Sequence, residues 1–416
     1  MLKNKKVQKN KLLLLCGIIF FLWNTLLFSQ EQNFNLKIQS NPNDLDYWWL
    51  EKNNFGIKYD DFHFEGKWNF QTSKTIYTIN IVGQDSQEKI YFKESFIKHN
   101  FSDKTFLRIG RYYKDFSNYI NDELSSGHMI ISHNAEPMPK IGLVTTSQKI
   151  KRFKKLTFDF GIAHGFFQKD NYYTKAPLLH EKFLYMHINK NDYKVSLGLV
   201  HEAIWAGGTP ELGNQPNTFK DFLKVFISAD GPLGEGEGHA NALGSHIGIW
   251  DFSYEKKNNN KILKLYYQHY FEDTSSLRFR NEIDGLWGAE LTNYLPNTTI
   301  LLEYLDTTNA WLDPPYQRDH YYWNYQYKLG WTYNNYIIGN PFVHSFRLGK
   351  VIHLGLGGEF FSNYYKIKVS RKINTNDTIK YKAIIGKTIK ENFNLNIFLV
   401  NNDKNHGIGF GFSTTF

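Results

Sequence analysis

Four lysines near the C terminus have a spacing that suits the binding of an acidic polymer. They alternate with apolar residues in two neighbouring segments, Tyr365-Lys366-Ile367-Lys368-Val369 and Ile379-Lys380-Tyr381-Lys382-Ala383. Successive side chains of a β-strand point to opposite faces, so the lysines would share one face of a hairpin and the apolar residues the other. A basic wall concentrates acidic polymers, and we interpret it as a contact for uronate- or phosphate-bearing polysaccharide near an extracellular loop. The alternative is a set of ordinary solvated lysines on a polar face.

Four tryptophans and two arginines are further candidates for contact with sugars. The tryptophans all lie beside glycines, and they are Trp205, Trp250, Trp287 and Trp331. Sugar rings can stack on indole rings, whereas the alternative roles are packing or an aromatic girdle at a membrane interface. Arg278 and Arg280, followed by Glu282, also alternate. They could donate hydrogen bonds to hydroxyl or carboxylate groups on an inner face.

Two patterns resemble catalytic motifs but lack a required part. His201-Glu202 begins like the HExxH zinc motif, yet Trp205 stands where the second histidine belongs, so no zinc site is expected. Ser245, His246 and Asp251 are the residue types of a hydrolase triad, without the Gly-x-Ser-x-Gly turn around the serine. Because triads are assembled in space, the sequence leaves this second possibility open.

The glycine-rich segment 230–238 superficially resembles a phosphate-binding loop. It carries Glu235 and Glu237 where such a loop has a lysine, and these charges would repel phosphate. A flexible loop is the simpler interpretation. A calcium ion held by Asp230, Glu235 and Glu237 is the alternative, because calcium prefers clustered oxygen ligands. No other metal and no cofactor is expected.

The last ten residues have the pattern of a strand that faces lipid. Ile408, Phe410, Phe412 and Phe416 share one parity of alternate positions, and Thr414 completes the row. In a transmembrane β-barrel such a strand closes the cylinder and turns its apolar row to the membrane. A terminal aromatic residue also resembles the signal that delivers bacterial outer-membrane barrels to their assembly machinery. We therefore predict a barrel over residues 62–416, preceded at 30–61 by a periplasmic lead-in or a first strand.

Composition favours a barrel that follows an export signal. The chain has 34 Phe, 27 Tyr and 10 Trp among 416 residues, yet its mean hydropathy is -0.49, which suggests alternation of apolar and polar residues. Residues 1–29 combine lysines, an apolar run and Ser29, which predicts a secretory signal peptide, with a membrane anchor as the alternative. The single cysteine, Cys16, lies in this leader, so no disulfide is expected. Without the five leader lysines, 49 basic against 40 acidic residues become 44 against 40, which gives nucleic-acid binding no support.

Several stretches of the middle of the chain carry a family resemblance. They include Leu124-Ser125-Ser126-Gly127, Ser132-His133-Asn134-Ala135, His201-Glu202-Ala203-Ile204-Trp205-Ala206-Gly207-Gly208, Asp284-Gly285-Leu286-Trp287-Gly288, Gly330-Trp331-Thr332-Tyr333 and Ile338-Gly339-Asn340-Pro341-Phe342. The segment 241–252, which follows the glycine-rich loop, belongs to the same set. In their order and spacing they resemble the Wzi family of capsule-assembly outer-membrane proteins, in its Bacteroidetes-type branch. The resemblance is strongest over residues 124–342.

The resemblance implies an all-β fold, a transmembrane antiparallel barrel of about 18 strands with a small helical element at the periplasmic side. It also implies a lectin that holds capsular or other exopolysaccharide at the cell surface, and not an enzyme. The expected partners are this polysaccharide, outer-membrane lipid and the barrel-assembly machinery, with no nucleic acid and a monomeric state. A porin-like channel for small solutes is the first alternative. An outer-membrane hydrolase is the second.

Overall fold

The computed structural model describes residues 31–416 apart from 43–46, 59–61, 85–89, 151, 170–171, 233–240, 273, 311–319, 374–376, 391 and 403–404. The expected signal peptide, 1–29, lies outside the described residues. So do Glu235 and Glu237 of the candidate calcium site. Within the described part, no helix is long and apolar enough to cross a membrane.

Eighteen antiparallel strands form one closed barrel, as predicted. Each strand pairs with the next along the chain, and the last pairs with the first, with Ile38 opposite Phe412. The strands are β1 Glu31–Ser40, β2 Phe62–Gln71, β3 Thr75–Gln84, β4 Ser95–Asn100, β5 Thr105–Arg111, β6 Pro139–Ile150, β7 Phe153–Phe166, β8 Leu178–Asn189, β9 Tyr193–Trp205, β10 Ser245–Asn258, β11 Lys261–Phe271, β12 Gly285–Thr292, β13 Thr298–Asp306, β14 Lys350–Phe360, β15 Asn363–Ile373, β16 Lys380–Lys390, β17 Phe393–Asn402 and β18 Asn405–Thr415. The segment 30–61 thus contains the first strand.

The strand β18 has the two faces that its sequence predicts. Ile408 and Phe410 are 55% and 57% exposed on the outside of the barrel, where lipid would cover them. Gly407 and Gly409 are buried on the opposite face. A Cβ atom on Gly409 would lie 2.1 Å from the ring of Phe398, so the inner face of this strand has no room for a side chain there.

The two ends of the barrel differ in the length of their connections. At one end the strands are joined by turns of two to five residues, such as 72–74 and 361–362, and both Glu31 and Phe416 lie there. At the other end eight of the nine connections are longer than five residues, up to 307–349. Outer-membrane barrels have short periplasmic turns and long extracellular loops, so we assign the short-turn end to the periplasm.

Three short helices occur among the described residues, and all of them lie in long connections. They are α1 Trp48–Glu51, α2 Phe219–Phe226 and α3 Thr274–Leu277. The family resemblance implied a helical element at the periplasmic side, whereas these three belong to connections at the extracellular ends of the strands, and α1 reaches into the lumen beside Lys368. Two-residue strands form small hairpins in the connections 206–244 and 307–349, and Tyr91–Phe92 adds a short pairing to β3.

The barrel interior is filled by its own connections. Residues 112–138, which we call the plug, fold inward between β5 and β6, and part of the connection 307–349 packs beside them. Their apolar side chains join inward residues of the wall in the main core; examples are Phe116, Met129, Ile130, Trp331 and Phe342. Lumen packing, and not only strand pairing, therefore contributes to the stability of this barrel.

Candidate functional site

The four candidate lysines all point to the lumen. Lys368 lies directly opposite Lys382 in the β15–β16 pair, and Lys380 lies opposite Ser370. Ser370 marks the lumen face, because its hydroxyl contacts His353 at 2.7 Å and His353 contacts the carbonyl of Leu124 in the plug at 2.6 Å. The side-chain alternation predicted from the sequence is therefore correct for both strands.

These lysines differ in depth and in their contacts. Lys366 forms an ion pair with Glu123 of the plug. The Lys368 ammonium donates to the carbonyl of Ser125 at 3.1 Å and lies 5.2 Å from the ring centre of Trp49 on α1. Only Lys380, the first residue of β16, lies at the extracellular end, so the expectation that all four are near an extracellular loop is wrong.

Lys382 belongs to a group of lysines that we call the basic sector, together with Lys366, Lys368 and Lys380 and with Lys37 and Lys93. The Lys382 ammonium lies 5.2 Å from the ring centre of Phe398. Within the described residues, the charged groups that act on it most are all lysines: Lys37, Lys93, Lys366 and Lys368. Two of them are paired with acids, Lys366 with Glu123 and Lys93 with Glu65 at 2.7 Å. The lysines still outnumber these carboxylates, and an excess of positive charge favours the approach of an anionic ligand.

Two cavities open on the periplasmic side of the plug. The larger has a volume of about 550 Å³ and is lined by Asn121, Glu123 and Lys366, together with residues of the turn 293–297 and of the adjoining ends of β14 and β15. The smaller, about 200 Å³, is lined by polar residues that include Asp159, His187, Lys194 and Glu255. Neither cavity could be predicted from the sequence, because the walls of each come from segments that lie far apart in the chain.

Asp251 on β10 holds the first part of the plug. Its carboxylate accepts hydrogen bonds from Ser117 Oγ at 2.5 Å, from Tyr185 on β8 at 2.5 Å and from the hydroxyl of Tyr119. Three donors compensate a buried carboxylate for its lost hydration. Both oxygens of Asp251 are thus engaged with the plug and the wall.

The residues of the possible hydrolase triad are not assembled. Asp251 points to the lumen, whereas His246 lies on the outer face of the same strand, where it contacts His201 at 2.9 Å. The other ring nitrogen of His246 contacts the carbonyl of Leu243 at 3.0 Å. The carboxylate therefore cannot orient this histidine as a triad requires.

The candidate metal residues also lie apart. His201 faces outward and Glu202 faces the lumen, because they are neighbours on β9 and not on a helix. Among the described residues no group of three or more His, Cys, Asp or Glu could hold a metal ion. Asp230 pairs through its backbone with Ala242, at the base of the glycine-rich loop.

The candidate tryptophans do not line a sugar site in the lumen. Trp205, Trp250 and Trp287 lie on the outer face, where the indole of Trp287 stacks on Tyr267 at 3.7 Å. Trp331 is 2% exposed and donates to the carbonyl of Ile130 at 2.7 Å inside the core. These positions match the girdle and packing alternatives.

The prediction that Arg278 and Arg280 point into the lumen is wrong. Both are exposed residues of the connection 272–284 at the extracellular end. The backbone there forms turns and not a strand, with positive φ at Phe279 and Glu282. Alternation in sequence therefore does not translate into alternation of faces at these positions.

The motifs that carry the family resemblance meet in the plug. Ser132 donates from its amide to Ile338 at 2.8 Å and from its hydroxyl to Gly339 at 2.6 Å. The amide group of Asn340 donates to the carbonyl of Gly127 at 2.6 Å. Segments 200 residues apart in sequence thus build one lumen core, in which Glu303 of the wall binds the plug at Ser125 and Ser126.

This combination of barrel and plug agrees with a match to a protein-family model. The model of the capsule assembly protein Wzi matches residues 50–397. The chain belongs to the Wzi family. No curated protein sequence matches this chain. The resemblance inferred from its motifs is thus confirmed at the level of the family.

Solved structures show the same architecture. One is Wzi from Escherichia coli, described as an outer-membrane protein involved in group 1 capsule assembly and as a carbohydrate-binding β-barrel. It has 12% identity and a TM-score of 0.62, with 94% of this chain and 86% of that chain covered. Two mutants of a Rhodopseudomonas blastica porin match at TM-scores of 0.43 and 0.42 with 8% and 9% identity, covering 93% of this chain and 99% of each porin. The porin scores are too low to support any inference.

Proposed function

We propose that this Wzi-family barrel resides in the outer membrane, binds capsular or other exopolysaccharide there, and attaches or assembles it at the cell surface. The observation that carries this proposal is the family match over residues 50–397. The protein acts as a monomer without a cofactor or catalysis, after export and insertion by the barrel-assembly machinery. Its partners are polysaccharide and lipid, and not nucleic acid.

The filled lumen supports an anchoring role over solute transport. An open channel of this strand number requires a lumen free of packed side chains. Here Asp251 and Glu303 hold the plug by hydrogen bonds on two different strands. The separation of Asp251 from His246 likewise gives no support to a hydrolase.

The basic sector of the wall is the contact that we propose for the polymer. Lys380 lies at its extracellular end, and Lys382 and Lys368 continue it inward. Positive charges that lie close together in a partly buried region repel one another, and an anionic ligand would reduce this repulsion. Uronate or phosphate groups of an acidic polysaccharide would provide such charge. The tryptophans on the outer face do not take part in this contact.

A binding measurement with the purified full-length barrel tests the proposal. The probe is acidic polysaccharide isolated from the surface of the same cells and immobilised on a sensor, beside the same polymer with its carboxylates reduced and beside neutral dextran. We expect binding to the acidic polymer that weakens as salt rises, because salt screens exposed charges. Equal binding to the carboxyl-reduced polymer would show that the basic sector does not contact the carboxylates of the polymer. An absence of binding to the native polymer would contradict the proposed function.

A further inference from the structure

The helix α2 packs against the outer face of the barrel. The ring of Phe222 lies 5.6 Å from Trp205 and 5.3 Å from His180. Val225 is fully buried in a cluster with Ala203 and Trp205, which is separate from the lumen core. Neighbours of these wall residues, such as Leu179 and Ile204, point instead into the lumen core. The helix therefore lies on the lipid side of β7–β10, at the extracellular rim.

A second face of α2 is apolar and uncovered. Phe219, Leu223 and Ile227 recur every fourth position and are 75%, 48% and 71% exposed. Residues four apart lie on one side of a helix, so they form a single apolar row. The outward residues Leu184 and Phe160 of the wall, 53% and 44% exposed, belong to the same side of the barrel. The row continues the lipid-facing belt of the barrel above its upper edge.

A basic stripe runs beside this apolar row. Lys220 and Lys224 are also four residues apart, and each lies next to a residue of the row in the helical projection. Asp221, the acidic residue of the helix, is engaged in the capping box with Thr218. A helix with adjacent apolar and lysine-bearing faces is typical of a segment that lies in the interface of a membrane and attracts anionic lipid.

Lys182 adds a third cation beneath the end of the helix. It is on the outer face of β8, donates to the carbonyl of Phe226 and lies 4.5 Å from the ring centre of Phe226. In the described part of the chain, the charged groups that act on His180 and His201 beside it are Lys182 and other histidines, with no carboxylate. The described groups around Lys182 thus present positive charge without a compensating carboxylate, which favours an anionic ligand.

We propose that α2 and Lys182 form a binding site on the outer surface for a phosphate-bearing lipid of the surrounding leaflet. The apolar row inserts among the acyl chains, and Lys182, Lys220 and Lys224 contact the phosphate groups. The continuity of the row with the lipid-facing belt favours a lipid, and the charge of the three lysines favours phosphate groups on that lipid. This site is independent of the lumen and of the polysaccharide that the protein is proposed to bind.

The test uses the full-length barrel reconstituted in lipid nanodiscs. The probe is an acylated glucosamine disaccharide, supplied either with its phosphates or after enzymatic removal of them. Native mass spectrometry after detergent extraction counts the glycolipid retained on each barrel. We expect preferential retention of the phosphorylated form, and we expect the triple variant Lys182→Gln, Lys220→Gln, Lys224→Gln to lose it, by about fivefold for each lysine.

Matched variants make the result specific. The control is Lys256→Gln, Lys257→Gln, Lys261→Gln, three exposed lysines at the periplasmic rim of β10 and β11, which should keep the preference. The exposed pair Phe219→Ser, Ile227→Ser should lower retention of both lipid forms. If the triple variant does not fold, the double variant Lys220→Gln, Lys224→Gln replaces it, because both lysines lie in a connection. Equal retention of both lipids by the unaltered barrel, or an unchanged preference in the lysine variants, would overturn the proposal.

Discussion

Glu303 on the barrel wall accepts a hydrogen bond from the backbone amide of Ser126 at 2.7 Å, in the middle of the plug. The same carboxylate accepts from Ser125 Oγ at 2.7 Å and from the hydroxyl of Tyr266. Hydrogen bonds to a buried charge contribute about 1.5 to 3 kcal/mol each, so this contact can hold the plug against thermal displacement. Wall and plug thus form one packed unit.

The first prediction concerns the seal of the lumen. Glu303→Ala should release this part of the plug, because two donors and a backbone amide lose their acceptor. In planar bilayers the unaltered barrel should give no steady large conductance, and the variant should show frequent open events. Glu359→Ala, which removes an exposed carboxylate near the periplasmic rim, is the matched control and should remain silent. A large steady current through the unaltered barrel would contradict the plugged lumen.

The second prediction concerns a buried ion pair. Lys140 Nζ lies 2.6 Å from Glu181 Oε2, and both side chains are 2% exposed. Lys140→Met should destabilise the barrel by about 3 to 5 kcal/mol, because it leaves Glu181 charged and unpaired beside the buried Glu202. Glu202→Gln should cost less than Lys140→Met, because it removes a buried acid that acts unfavourably on Glu181 and leaves the ion pair of Lys140 with Glu181 in place. Thermal unfolding in detergent measures both, and a stabilising Lys140→Met would contradict this assignment.

The third prediction concerns pH. Burial raises the pKa of Asp284 to about 6, against the hydrogen bonds donated by Asn309 and Tyr321. Because the folded state holds this proton more tightly than the unfolded state, stability should rise as pH falls from about 6 towards 4. The gain should be on the order of 2 kcal/mol. As pH falls over this window, the unfolding midpoint of the unaltered chain should therefore increase relative to that of Asp284→Asn. If the midpoints of the two proteins change in parallel with pH, the raised pKa of Asp284 is disproved.

The fourth prediction concerns the basic sector. Replacement of Lys366, Lys368, Lys380 and Lys382 by Gln should weaken retention of acidic polysaccharide about tenfold, because exposed charge pairs contribute about 0.2 to 1 kcal/mol each. Arg278→Gln, Arg280→Gln removes positive charge from an exposed connection at the same end and serves as the control. Retention by whole cells, measured with labelled polymer, compares the two. If retention falls by the same factor for each charge removed in both variants, it depends on the total positive charge of the protein. The basic sector would then have no specific role.

Alternation along single strands could be predicted from the sequence. The outward row of Ile408 and Phe410 and the inward pair Lys366 and Lys368 follow from the fact that one face of a barrel strand meets lipid and the other does not. The same reasoning could have assigned Trp250 to the outer face, since it shares its parity with Phe252 while Asp251 has the opposite one. Residue types alone suggested a sugar contact there.

The plug could not be predicted in the same way. Its residues have no regular period, and its position depends on contacts such as that of Ser125 with Glu303, 178 residues away. The error at Arg278 and Arg280 has a related cause, because positive φ angles at Phe279 and Glu282 break the strand geometry that alternation assumes. Local pattern identifies a strand face only where a strand exists.

The central claim is tested most directly by the distribution of surface polysaccharide. Cells that lack this gene should be compared with the same cells carrying the unaltered gene, with cell-bound and released polymer measured at equal total synthesis. We predict that polymer moves from the cell surface into the medium in the deletion strain and returns on complementation. An unchanged ratio of bound to released polymer in the deletion strain would contradict the account.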